Sequence, residues 1–348
     1  MSFRCPRSLA AALISAFLVS LSAGCAFRGE RAGEPAENTP VATNQNVSTS
    51  DAWQVLDGGV LSPVLPGWPG VSTAITGPLS VRFVRPVAIA VRGPYLYIAD
   101  AGLQRLFRYE PSTDRLVVLK ELRDLVAGGE VSDIFVASDF SYYLADGNGG
   151  RIYQFDPDGN QVRVIEDHID IGRPVGVAVD EASGTMYIAD GFNDDVLVYN
   201  RAGGLEGAIG ARGQGDGRFL GIMAMTLGRA GVYVGTRFGE ERVQLMGYDG
   251  AFLKAFQRDT VIFPTSIAVD RAERAFVSDY LADNIKVFVD GELVDTLGGH
   301  GSAPGRFKRI ADLAADGNLL YVADSLNGRI QMLPLSAVAS RKDGSRTE

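Results

Sequence analysis

A β-rich run ending in Asp, once in Thr, returns six times along the chain. It reads YLYIAD at Asp100, YYLAD at Asp146, MYIAD at Asp190, VYVGT at Thr236, AFVSD at Asp279 and LYVAD at Asp324. The intervals are 46, 44, 46, 43 and 45 residues. Repetition at a fixed period constrains a fold more than any local propensity does. Each repeat has to be one supersecondary unit that buries its apolar face against its neighbours.

Every unit has the same internal order. An apolar strand comes first, as at residues 87–91, 176–179 and 266–269, and the Tyr-rich run follows. A short polar loop leads to a third strand, as at 151–155 and 329–332, and turn signals such as Pro157-Asp158-Gly159, Asp249-Gly250 and Asp290-Gly291 return the chain into a fourth. Four antiparallel strands at this period predict an all-β chain folded as a six-bladed β-propeller. The 42 glycines suit its many turns, and 46% hydrophobic content supplies its core.

The best copy of the repeat is Tyr321-Val322-Ala323-Asp324-Ser325-Leu326-Asn327-Gly328-Arg329-Ile330. Two Gly-rich loops, GARGQGDGRF at 210–219 and GGHGSAPGRF at 298–307, lie two repeats apart. In these features residues 71–335 resemble NHL repeats, which implies four-stranded blades joined by Gly-rich exits. Blade 4 departs from the pattern with Thr236 and an extra residue before Arg242. Blades 3 and 5 carry Asp195 and Asn284 where others have Arg105, Arg151 and Arg329.

Residues 336–348 are polar and lack strand-like alternation, so blade 6 needs an outer strand from elsewhere. Residues 71–76, VSTAIT, are the expected source, which leaves 52–70 as an N-terminal extension.

The start of the chain reads as an export signal. Arg4 and Arg7 precede an apolar run at 9–21 too short to span a bilayer, and Leu21-Ser22-Ala23-Gly24-Cys25 resembles a bacterial lipobox. Residues 1–24 are then the leader, Cys25 the lipidated first mature residue and 25–51 a flexible tether. By the same resemblance Ala26 directs the protein to the outer membrane. Removing Arg4 and Arg7 takes the formal charge from -9 to -11, which repels nucleic acid. Only Cys5 and Cys25 occur, so the mature chain has no disulfide and the expected assembly is a monomeric propeller.

Little in the sequence carries catalytic chemistry. His168 and His300 are the only histidines and lie in separate repeats, with no zinc-ligand spacing, and no GxSxG elbow occurs. The repeated Asp100, Asp146, Asp190, Asp279 and Asp324 read as strand-end caps or as partners of the Arg five residues on, because a motif present in five blades answers a need of every blade. No cofactor is expected, and Ca²⁺ held by carboxylates in the central channel is the one ion the sequence leaves open. A binding face is expected where loops gather around the channel: Arg85, Arg105, Arg151, Arg173, Arg242 and Arg329, with Phe192, Phe238 and Tyr280. Two readings follow: a non-catalytic scaffold for a protein or cell-envelope polymer, or a Ca²⁺-dependent lactonase- or lyase-like envelope enzyme.

Overall fold

The structure, a computed structural model, describes residues 53–61, 80–166 and 170–338. The leader, Cys25, the tether and residues 71–76 lie outside the described residues. No helix of the described residues is long and apolar enough to cross a membrane.

Six antiparallel blades follow one another in sequence. Their first strands are Pro86–Arg92, Asp133–Val136, Pro174–Asp180, Ile222–Leu227, Pro264–Val269 and Ile310–Asp316. Each packs beside the next, and the sixth returns to the first, which closes the ring around a central channel. The repeated motif is the second strand of each blade, from Tyr95–Asp100 to Leu319–Asp324. Side chains alternate between the two faces of a blade, so each seam between neighbouring blades has its own apolar filling. Six such clusters are present, one per seam.

The ring is closed by an N-terminal strand, but an earlier one than the sequence pattern suggested. Gln54–Leu56 pairs antiparallel with the third strand of blade 6, with Gln54 opposite Met332 and Leu56 opposite Ile330. The edge that residues 71–76 were expected to cover is therefore taken. Trp53 and Leu56 are the anchors. Trp53 packs edge-on to Phe307, with centroids 5.3 Å apart, and Leu56 enters the cluster between blades 6 and 1. The chain then crosses to blade 1, where Gly58–Leu61 runs parallel to the outer strand Arg115–Glu121 and antiparallel to Ser80–Arg82. The crossing requires glycine, since a Cβ on Gly58 would collide with the Val81 carbonyl.

Candidate functional site

The repeated carboxylates are consumed by the loops around them. Asp100 accepts hydrogen bonds from the backbone N–H groups of Val84, Arg85 and Leu103. Asp190 accepts from Gly172, Arg173, Phe192 and Asn193, and Asp279 from Ile262, Phe263, Leu281 and Ala282. Asp146 accepts from Gly149, and Asp324 from Lys308 and the side chains of Asn327, Arg329 and Gln331. In blades 1, 3, 5 and 6 the buried carboxylate thus ties its own second-to-third-strand loop to the connection entering its blade, while Asp146 holds its own loop. Donors supply the compensation that a buried charge requires. In blade 4 the Thr236 hydroxyl donates instead to the carbonyls of Phe238 and Glu241.

The Arg that follows the motif does not play one role. Arg329 is buried, bonds Asp324 at 2.7 Å and donates to the carbonyls of Ser302, Ala303 and Arg306. Its expected place on an exposed face is corrected: every guanidinium nitrogen points into the protein. Arg105 and Arg151 turn outward along the blade to Glu121 and Glu166, and Arg85 pairs with Glu130. Arg242 donates to the carbonyl of Arg237, and Tyr280 is half-buried beneath Arg309 and Phe263. Arg173, Phe192 and Phe238 remain open to solvent. Beside them on the same loops and connections are Val84, Ile262, Leu281 and Leu326, also exposed.

Two residues with no signal in the repeat pattern organise this face. Asp194 and Asp283 each occupy a left-handed backbone position, φ 62° and 50°, just before a third strand. Asp194 accepts from the N–H groups of Gly221 and Ile222 and faces Arg212, while Asp283 accepts from Arg309 N–H and from His300 Nδ1 at 2.6 Å. Arg212 and His300 hold the same position in the two Gly-rich loops. His300 is therefore one of a pair of loop locks. Buried Gln244 and Gln331 complete the parallel, each accepting from a loop glycine, Gly217 or Gly305, and donating to a loop carbonyl. His168 lies outside the described residues.

The channel holds a second set of polar groups, in a cavity of about 360 Å³. One equivalent position of the six first strands, the third residue in five of them and the opening residue in blade 2, holds Ala88, Asp133, Gly176, Ala224, Ser266 and Asp312. Where it is polar, it reaches forward to a backbone N–H of the next blade: Asp133 to Val177, Ser266 to Leu313, and Asp312 to Ile89. These strands are the inner edges of their blades, so N–H groups on their outer side have no sheet partner and are free to point across the seam. Burial raises both carboxyls above the ordinary range, Asp312 to about 6 and Asp133 well above its usual value, the Asp133 carboxyl being raised further by Asp312. A carboxyl tuned this way is the kind that transfers protons near neutral pH.

Calcium fits this set poorly. It takes about six to eight oxygen ligands, whereas among the described residues Asp133 and Asp312 are the only carboxylates lining the channel. Among the described residues no group of three or more His, Cys, Asp or Glu is placed to hold a metal ion.

No family model matches the chain, and no curated protein matches it in sequence. Solved structures do match in shape. A streptogramin B lyase structure aligns with TM-score 0.55 and 12% identity over 74% of this chain and 85% of that one. Virginiamycin B lyase from Staphylococcus aureus gives 0.54 and 12% over 72% and 95%. A gluconolactonase from Xanthomonas campestris gives 0.56 and 14% over 72% and 86%. At such identities the likeness is one of fold alone: this chain is a six-bladed β-propeller.

Proposed function

We propose that the protein is a lipid-anchored, extracytoplasmic propeller of the NHL type that binds a protein or cell-envelope polymer through its loop face and is not a catalyst. One observation carries the reading. The repeated carboxylates are spent on loop backbone, whereas Phe192, Phe238, Leu281 and Leu326 stand exposed at the loop tips, Phe192 at 66% and Leu326 at 61%. Large apolar side chains exposed together beside cations mark a partner surface, and aromatic and Arg residues dominate binding energy at such surfaces. The lipid on Cys25 and the outer-membrane location belong to the same proposal and rest on the lipobox-like sequence.

The raised channel carboxyls favour a second reading, an envelope hydrolase or lyase with Asp133 and Asp312 as acid and base. The similar shape of lyases and a gluconolactonase is compatible with it. Affinity capture from envelope extracts separates the two. Under the scaffold reading, Phe192→Ala with Phe238→Ala abolishes capture, while Val162→Ala with Leu253→Ala on outer strands leaves it intact. Turnover of a lactone or ester by the wild type, lost in Asp133→Asn and Asp312→Asn, would establish the enzyme instead.

A further inference from the structure

Between blades 3 and 4, at the rim of the channel, a pocket of about 360 Å³ is lined by Arg173, Arg212, Arg237, Phe238, Leu220 and Asp194. Three arginines and one carboxylate line it, and that carboxylate is already engaged. Asp194 Oδ1 accepts from two backbone N–H groups, and Oδ2 lies 3.5 Å from Arg212. Among the described residues the Arg173 guanidinium donates only to the Gly191 carbonyl. Among the described residues, neither Arg173 nor Arg237 has an acidic partner.

Arg237 is the most unusual of the three. Its guanidinium sits between two aromatic rings, 4.9 Å from the centroid of Phe238 and 5.2 Å from that of Phe263. The stack continues from Phe263 to Tyr280, 5.7 Å away, and ends under Arg309, 4.5 Å from the Tyr280 ring. Backbone bonds from Arg237 to the Gly221 carbonyl and from Phe238 to the Leu220 carbonyl fix the loop against the pocket wall. Stacking stabilises a guanidinium by its faces and leaves the N–H edge unused, so here a stacked donor fork lines an Arg-rich pocket with no protein acceptor among the described residues.

We infer that this pocket is a subsite for a carboxylate carried on a ring, such as an acidic sugar unit or an aromatic acid. The fork geometry of Arg matches a planar carboxylate in two parallel hydrogen bonds. The pocket volume falls at the low end of ligand sites, about 300 to 1,000 Å³, which admits a ring and is far more than a free inorganic anion fills. Phe238 and Leu220 supply an apolar wall for the ring. The inference rests on the proposed binding role of the loop face and names the chemistry that one sector of it recognises.

The test is calorimetric titration of the full-length protein with benzoate, with benzamide as its neutral isostere and with inorganic phosphate. Benzoate binds, benzamide at least about tenfold more weakly, and Arg237→Ala costs at least about tenfold in benzoate affinity with the melting temperature unchanged. Arg237→Lys does not restore binding, because an ammonium neither stacks nor forks. Equal binding of benzoate and benzamide, unaltered binding by Arg237→Ala, or tighter binding of phosphate than of benzoate would overturn the assignment. Failure here is separable from failure of the wider reading. Absent benzoate binding with envelope capture still lost in Phe192→Ala and Phe238→Ala removes only the subsite, whereas benzoate binding with capture unaffected by those changes removes the scaffold role.

Discussion

The carboxylate of Asp312 in blade 6 accepts a hydrogen bond of 2.7 Å from the backbone N–H of Ile89 in blade 1, across 223 positions of sequence. The ring is thus sealed twice, by the strand Gln54–Leu56 on the outside and by this bond at the channel. Asp312→Ala leaves the Ile89 N–H without that acceptor and the Ser266 hydroxyl without its 2.7 Å partner. Each orphaned buried donor costs about 1 to 3 kcal/mol. Denaturant unfolding at pH 5 is expected to show a loss of about 2 to 6 kcal/mol for the two donors together, and a smaller loss at pH 8, where the desolvation of an ionised Asp312 offsets part of it.

The pH dependence of the wild type follows from the same groups. A carboxyl whose pKa is raised on folding, as burial raises Asp312 to about 6, holds its proton more tightly in the folded chain. Its contribution is fully present below the unfolded value of about 4 and is lost as pH rises through about 6. Asp195, raised to about 6 by burial and by Asp190, Asp194 and Asp170, acts in the same direction. The melting temperature should therefore fall between pH 4.5 and 7.5. In Asp133→Asn with Asp312→Asn the fall should be visibly shallower, and an unchanged slope would refute the channel assignment.

Arg329 and Arg173 illustrate opposite roles for one residue type. Removing Arg329 strands the fully buried Asp324 and should cost about 3 to 5 kcal/mol. Removing the exposed Arg173 should cost within about 0.5 kcal/mol. Thermal unfolding of Arg329→Ala and Arg173→Ala in parallel checks both values. The sequence could not single out Arg329, because an Arg five residues after the motif reads identically in blades 1, 2 and 6. What differs is the Gly-rich loop ahead of blade 6, whose carbonyls surround Arg329.

Truncation locates the closing strand. Deletion to Asp51 should leave the melting temperature unchanged, while deletion to Asp57 removes Trp53, Leu56 and the pairing with residues 330–332. Trp53→Ala alone should cost about 3 to 5 kcal/mol, the usual range for a large buried aromatic. The six-fold period, the strand order and the need for an N-terminal strand were legible in the sequence. Which residues supply it was not, since QVL beside a polar tether looks less strand-like than the β-branched VSTAIT. Its pairing comes from backbone bonds to an open edge, and only Trp53 and Leu56 beside them carry a side-chain signal. Asp194 and Asp283 were hidden for a related reason: an acidic residue in a variable loop becomes meaningful only once its left-handed backbone aims it at the next blade.

The central claim, that binding resides on the loop face, is tested most directly by hydrogen–deuterium exchange of the protein alone and in complex with the envelope component it captures. The account predicts protection confined to the loops around residues 191–194, 237–240, 280–283 and 325–327, with the outer strands unchanged. Protection confined to the outer strands, or to the channel strands around Asp133 and Asp312, would contradict it.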